Sequence, residues 1–429
     1  MKFPPRPGAA VLLLAATALA FAGCRADAPV LPDGVADEAS PADLVAQLAE
    51  LLPRVERLSG LERVGELRMR RQSREDARRH VEQRLDRDLP PERLDGVRRA
   101  YAALGLVPDT LDLRALLLDL YSEQVLGYYD PDTRTLFVLE GEEAVGLRPL
   151  LAHELVHALQ DQHANLDSLV SHERGNDRQT AAHAALEGHA MVVMFAVLAE
   201  EATRRRLDPT TLPDPSPDLG EALAAQNEAF PVFGRAPDVI RETLLFPYIH
   251  GARFVHQLWS SMAPLERYPA PMDSLLPQST HQIMEPRAFL AARREPVELR
   301  FHDVPAGREP VYENTLGRLE TGIFLAAHGG ADARDVASGW LGDRFLLLTD
   351  SAASDVLHWV TVWQDEAAAD AFLQVLVPTP ASIAPRTMHA YRGAVGDHAA
   401  VHVVIAPADT DPLTLAPPPV SATGQTPDQ

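Results

Sequence analysis

Leu151-Ala-His-Glu-Leu-Val-His-Ala-Leu-Gln160 is the stretch of this 429-residue chain that indicates most about its fold and chemistry. On a helix, His153 and His157 lie about 40° apart around the axis and one turn apart along it, so both imidazoles can reach one metal ion. Glu154 projects near the same face, where a carboxylate can act on a metal-bound water. The spacing His-Glu-x-x-His therefore predicts a metal site with a base beside it.

The chemistry of such a site favours zinc. Neutral imidazoles bind Zn²⁺ at about 2.0–2.1 Å, and three protein ligands leave a fourth position for water, whose pKa the ion lowers toward about 7. A nearby carboxylate takes the proton and passes it to the leaving amine. The apolar neighbours predict a buried helix, in which unpaired polar groups would cost roughly 1–3 kcal/mol each. We therefore expect one zinc ion per chain. The apolar neighbours that predict a buried helix are Leu150, Leu151, Leu155, Val156 and Leu159.

The third ligand has two candidates. Glu187 lies in Ala184-Ala-Leu-Glu-Gly-His-Ala190, on a helix predicted from about Arg178 to Arg206, and Gly188 would let that helix pack closely against the first. His163 is ten residues after His153, as in the metzincin pattern, but that pattern has glycine where this chain has Gln160. On a continuing helix, His163 would be rotated by about 280° and face away, so Glu187 is preferred.

The chain resembles the gluzincins, which are thermolysin-like zinc peptidases with a glutamate ligand on a later helix. More narrowly, it is similar to a group of prokaryotic secreted proteins that combine three motifs. These are a Gly-x-Tyr-Asp-Pro hairpin, a His-Glu-Leu-x-His-Ala-Leu-Gln-Asp-Gln-His helix and a Glu-Gly-x-Ala helix. The matching residues are Gly127, Tyr129 to Pro131, His153 to His163 and Glu187 to Ala190. His189 departs from the pattern, which commonly has an acidic residue there.

The resemblance implies further roles. A strand containing Thr135, Phe137 and Leu139 would pair with an extended substrate. Tyr248 or His250 would stabilise the oxyanion, on the side of the substrate opposite the base Glu154. Asp161, one turn beyond His157, would orient that imidazole.

The N-terminus has the anatomy of a signal peptide. Lys2 and Arg6 precede an apolar run from Ala9 to Ala22, and Phe21-Ala22-Gly23-Cys24 resembles a bacterial lipobox. Cys24 is the sole cysteine, which suits lipidation. We expect a signal peptide at 1–23, a lipid-anchored tether at 24–39, and a location at the cell envelope, on the outer membrane facing the periplasm.

The remaining chain predicts an α+β fold that is mainly helical. A zincin-like metallopeptidase domain is expected at 40–300, with a β-hairpin at 126–139 upstream of the metal-binding helix. A small α+β region is expected at 301–406, followed by a disordered tail at 407–429 that is rich in Pro, Thr and Asp.

The predicted function is hydrolysis of peptide bonds in a peptide or protein substrate, by a zinc metalloendopeptidase. The net charge of −22 argues against nucleic acid as a partner, because phosphate binding needs a basic face. Two alternatives remain open. One is an inactive zincin-like lipoprotein that serves as a scaffold or receptor, and the other is a zinc hydrolase of cell-wall peptide.

Overall fold

The computed structural model describes residues 41–141, 144–217, 230–262, 267–376, 383, 385–410 and 418–422. The predicted signal peptide, Cys24 and the tether at 24–39 lie outside these residues. The fold is α+β and mainly helical, as predicted. Within the described part of the first 300 residues, the α-helices are α1 Pro41–Ser59, α2 Arg74–Asp88, α3 Pro91–Ala103, α4 Leu113–Gln124, α5 Ala144–His163, α6 Leu166–Leu169, α7 Asn176–Thr203, α8 Pro231–Arg235, α9 Asp238–Met262, α10 Thr280–Met284 and α11 Pro286–Ala291.

Local chemistry explains where these helices begin. The Ser73 hydroxyl accepts the N–H of Asp76 at the start of α2, and the Asp112 carboxylate accepts the N–H of Ala115 at the start of α4. Helix α3 was not predicted. Its opening Pro90-Pro91 and its internal Gly96 are residues that usually mark loops.

A three-stranded sheet carries the predicted hairpin. Its strands are β1 Arg68–Gln72, β2 Gly127–Asp130 and β3 Thr135–Leu139, in the order β1-β3-β2. Strand β3 pairs parallel with β1 and antiparallel with β2, so ladder hydrogen bonds use both of its edges. The prediction that Thr135, Phe137 and Leu139 pair with substrate is therefore wrong, because strand addition needs an open edge.

Helix α7 is the central helix of the core. It is long and apolar enough to cross a membrane, but most of its apolar stretch is buried inside the fold. Gly188 lies against α9, where a Cβ would stand 2.0 Å from the carbonyl carbon of Gly251. Gly188 thus allows α7 to pack closely against α9. The prediction was that Gly188 would pack α7 closely against the metal-binding helix α5.

The elements of the C-terminal region are β4 Leu299–Phe301, β5 Arg308–Asn314, α12 Gly317–Gly329, β6 Trp340–Asp350, β7 Asp355–Trp363, α13 Glu366–Val375, β8 Arg386–Val395, β9 His398–Pro407 and β10 Val420–Ala422. Five of the strands form an antiparallel sheet in the order β5-β6-β7-β9-β8, which packs against the two helices. Leu155 of α5 and Trp359 of β7 belong to one continuous hydrophobic cluster, so this region and the helical part share a core.

Strand β10 corrects the prediction of a disordered tail at 407–429 for residues 420–422, while residues 411–417 and 423–429 lie outside the described part of the chain. Val420–Ala422 pairs antiparallel with Leu299–Phe301, and Ala422 is buried in a cluster with Val360 and Val362. The composition of the tail hid this short strand, which depends on a partner about 120 residues earlier in the chain.

Three buried acids, Asp177, Glu320 and Asp343, lie where the C-terminal region meets α7. Asp343 accepts the N–H groups of Leu316 and Gly317, and Glu320 accepts the Tyr101 hydroxyl. Burial raises the pKa of all three carboxyls, to about 7 for Asp177 and to about 8 for Glu320. The junction is thus held by polar contacts that are sealed from water.

Candidate metal centre

Helices α5 and α7 bring the three predicted ligands together. His153 Nε2 lies 3.1 Å from His157 Nε2 and 3.1 Å from Glu187 Oε2, and His157 Nε2 lies 3.5 Å from the same oxygen. Donors at zinc-ligand distance from a tetrahedral centre stand about 3.3 Å apart. All three residues are at most 1% exposed. The geometry is therefore that of a His-His-Glu group able to hold a metal ion.

The electrostatics of the group favour an anionic Glu187. Burial alone would raise its pKa, but the charge of His157 and hydrogen bonds from His153 hold the pKa well below the usual range. Burial lowers the pKa of His153. Burial also opposes a charge on His157, yet the neighbouring Glu187 carboxylate raises its pKa to about 9. A cation that replaces the extra proton of His157 would therefore be held by two neutral imidazoles and one carboxylate.

Several buried polar atoms at this site have no hydrogen-bond partner among the described residues. They include Nδ1 of His153 and Oε1 of Glu154. Buried groups are normally paired, and exceptions mark positions where an ion, a water or a ligand binds. The unpaired atoms therefore fit a site built for a metal and for a reactant beside it.

The predicted base Glu154 is held by the hairpin. Its Oε2 accepts the backbone N–H of Tyr129 at 2.9 Å, and the Tyr129 hydroxyl donates to Asp161 at 3.0 Å. One residue of β2 thus contacts helix α5 at two points that are two turns apart. Burial raises the pKa of Glu154 to about 8. The remaining oxygen, Oε1, is free for a reactant.

The partner of His157 is Gln160, and not Asp161 as predicted. His157 Nδ1 lies 2.9 Å from Gln160 Oε1, while Asp161 is engaged by Tyr129. Asp161 lies four residues beyond His157, but its carboxylate turns toward the hairpin. A glutamine three residues after a histidine shares its helix face equally well.

A chain of hydrogen bonds assigns the protons of this network. Burial lowers the pKa of His189 to about 3, so its ring is neutral, and its Nε2 must donate to the Ser59 carbonyl at 3.1 Å. His189 Nδ1 therefore accepts from the Gln160 amide nitrogen, which also donates to the carbonyl of Leu186. The Gln160 oxygen must then accept from His157 Nδ1–H. A metal ion would replace the proton on His157 Nε2, and the lone pair of that nitrogen would then point toward the metal position.

Tyr248 and His250 lie on different sides of α9. The Tyr248 hydroxyl is buried, and burial together with the charges of Glu187 and Glu154 raises its pKa well above the usual value. His250 stacks on Phe246, and burial and three arginines, chiefly Arg253, lower its pKa to about 4. Residues two apart on a helix point in nearly opposite directions. The structure thus brings Tyr248 to the site and excludes His250.

His163 does not join the group, which contradicts the metzincin alternative. Helix α5 continues to His163, and the ring donates through Nε2 to the carbonyl of Glu62 at 2.7 Å. The physical reason is that the helix does not turn at Gln160, where the metzincin pattern has glycine, so His163 cannot reach the metal ligands.

The comparisons with known proteins concern the C-terminal region. Residues 305–410 match the model of a domain of unknown function, DUF8575. No curated protein and no solved structure matches the chain significantly. The comparisons therefore assign no activity, and the functional argument depends on the geometry of the site.

Proposed function

We propose that this protein is a zinc-dependent metallopeptidase whose metal is held by His153, His157 and Glu187. The observation that carries the proposal is the convergence of two Nε2 atoms and one carboxylate oxygen within 3.1–3.5 Å, next to the buried Glu154. The zincin-like core implied by the sequence is part of this proposal. Peptide or protein is the proposed substrate.

The residues of the chain divide the work of hydrolysis. A zinc ion in this site supplies Lewis acidity toward a carbonyl and makes water nucleophilic near neutral pH. A cation beside Glu154 would lower the pKa of its carboxyl and keep it ionised, and Oε1 would then take a proton from the attacking water and return it to the leaving amine. The Tyr248 hydroxyl donates a hydrogen bond to the carbonyl oxygen as negative charge develops on it. Gln160 and His189 keep His157 in the tautomer that binds metal.

The deciding experiment compares the wild-type protein with Glu154→Gln and with the exposed-acid control Glu173→Gln. We expect all three proteins to bind about one equivalent of zinc by elemental analysis. Peptide hydrolysis should fall by at least about 100-fold in Glu154→Gln alone, because the base is lost. Equal turnover of wild type and Glu154→Gln would remove the proposed base. A wild-type protein without affinity for zinc would remove the mechanism.

Two alternatives are outcomes of the same assay. A zinc-loaded protein that binds peptide but never cuts it would be a scaffold, whereas cleavage restricted to cell-wall peptide would narrow the substrate class.

The proposed location is the cell envelope, through a lipid on Cys24. Cys24→Ser should shift the protein from the membrane fraction to the soluble fraction, and an unchanged distribution would remove the anchor.

A further inference from the structure

A cleft of about 120 Å³ lies between the helical part of the protein and the C-terminal region. Helices α3, α4 and α9 contribute mainly apolar residues to its lining, and α7 contributes Asn176, Gln179 and Thr180. Tyr312, Asn314 and Glu320 close the cleft, and they belong to the 305–410 region. The apolar lining includes Leu94, Val97, Leu117, Ile240 and Leu244.

Two helices, α7 and α9, connect the cleft with the metal centre, because each carries residues of both. Gln179 lines the cleft, and His183 and Glu187 follow it at four-residue spacing, so the three side chains share one face of α7. On α9, Leu244 lines the cleft and Tyr248 follows one turn later. Each such step advances about 6 Å along the axis. The cleft therefore begins one to two helical turns from the proposed catalytic groups.

Two polar atoms in the lining are buried and have no hydrogen-bond partner among the described residues. They are the amide nitrogen of Gln179, a residue that is 3% exposed, and the hydroxyl oxygen of Thr243. One is a donor, and the other can donate or accept. Extended peptide backbone presents matching carbonyl and N–H groups at every residue. The lining thus combines apolar walls with unused polar atoms that suit a peptide.

We propose that this cleft binds a large apolar side chain of the substrate, two to four residues from the scissile bond. This inference rests on the proposed peptidase function. One or two steps of about 6 Å correspond to about two to four residues of extended chain at 3.3 Å each. An apolar cavity of about 150 Å³ accepts a benzene-sized molecule, so this cleft of about 120 Å³ has room for a somewhat smaller group, such as one leucine or isoleucine side chain. The C-terminal region accordingly supplies one wall of a specificity site.

The test uses zinc-loaded full-length protein and a library of synthetic dodecapeptides, with cleavage sites read by mass spectrometry. The wild type should prefer Leu or Ile at one position two to four residues from the cut. Val97→Phe fills the cleft, so kcat/KM for peptides with Leu there should fall at least about 10-fold, while peptides with Ala there change little. Val336→Phe, at a partly buried valine outside the lining, is the matched control and should keep the preference.

A second variant examines the polar lining without filling the cleft. Gln179→Leu has nearly the same size and removes the amide, so KM should rise about 3-fold to 10-fold with kcat and zinc content nearly unchanged. An identical cleavage profile in wild type, Val97→Phe and Gln179→Leu would overturn the assignment of the cleft and leave the peptidase proposal standing.

Binding separates the two proposals if the wild type cuts nothing. The same peptides are then titrated into the zinc-loaded protein by calorimetry. Binding of Leu-containing peptides that Val97→Phe weakens and Val336→Phe preserves would support the cleft while removing the peptidase function. The absence of both cleavage and binding would overturn both proposals.

Discussion

Gln160 Oε1 accepts the Nδ1 proton of His157 at 2.9 Å, and the same amide donates to His189. The amide nitrogen of Gln160 has two acceptors, His189 Nδ1 and the Leu186 carbonyl, so the side chain cannot turn over without losing both bonds. The orientation of one neutral amide thus decides which nitrogen of His157 is available to a metal. Partners of this kind commonly change metal affinity by 10-fold to 100-fold when they are lost.

We therefore predict that Gln160→Leu and His189→Phe weaken zinc binding by about 10-fold to 100-fold. His189→Phe preserves the ring that packs against Trp259 but removes both nitrogens. His189→Gln, which can accept from Gln160 and donate to Ser59, should recover most of the affinity. Competition with a chromophoric chelator gives the dissociation constants.

His163→Ala is the control, since it removes a histidine of the same helix that lies outside the group. The NMR resonance of the His157 Nδ1 proton provides a second readout in the zinc-loaded protein. If His189→Phe binds zinc as tightly as wild type and keeps that resonance, the hydrogen-bond chain has no positioning role.

The second prediction concerns the oxyanion. Tyr248→Phe should lower kcat by about 100-fold to 1,000-fold with zinc content unchanged, because a donor to developing negative charge is lost. His250→Gln lies on the same helix but faces away from the site, so its kcat should stay within about 3-fold of wild type. Steady-state kinetics on one peptide substrate compares the two. A larger effect of His250→Gln than of Tyr248→Phe would reverse the assignment.

Much of the site could be predicted because its ligands follow helical spacing. His153, Glu154 and His157 need only one helix, and Glu187 stood out as an acid among small apolar residues. Local patterns also predicted the hairpin at 126–139, whose strands are Gly127–Asp130 and Thr135–Leu139.

Several of the errors arise from pairing between distant segments, which no local pattern shows. Strand β1 has the sequence Arg-Met-Arg-Arg-Gln, which lacks apolar alternation, so nothing local showed that β3 has two partners. The short strand β10 likewise depends on β4. His189 was noted only as a departure from a motif, since its contact with Ser59 spans 130 residues.

The third prediction is a pH dependence of stability at the junction of the two regions. Burial raises the pKa of Glu320 from its ordinary value of 4.5 to about 8 in the folded protein. The fold therefore favours the protonated form, so this contribution is complete below about pH 4.5 and is lost as the pH rises through about 8. The expected loss of free energy of unfolding is on the order of a few kcal/mol.

Urea unfolding at about pH 5.5 and about pH 8.5 measures this effect. Glu320→Gln should be nearly as stable as wild type at the lower pH and more stable at the higher pH. Glu313→Gln removes an exposed acid of strand β5 and should keep the wild-type difference between the two conditions. Parallel behaviour of wild type and Glu320→Gln would show that Glu320 does not set the pH dependence.

The fourth prediction concerns the crossing of α7 and α9. A Cβ at Gly251 would stand 2.0 Å from the Ala184 carbonyl oxygen, so Gly251→Ala must push two helix backbones apart. We expect a loss of about 1–3 kcal/mol in the free energy of unfolding, typical of overpacking. Gly65→Ala is the control, because its nearest neighbours lie at an ordinary 3.6 Å or more. Because Tyr248 is one turn from Gly251 and Glu187 adjoins Gly188, the separation should also lower kcat and zinc affinity in Gly251→Ala. A variant that keeps wild-type stability and kinetics would show that close contact at this crossing is not what positions the two side chains.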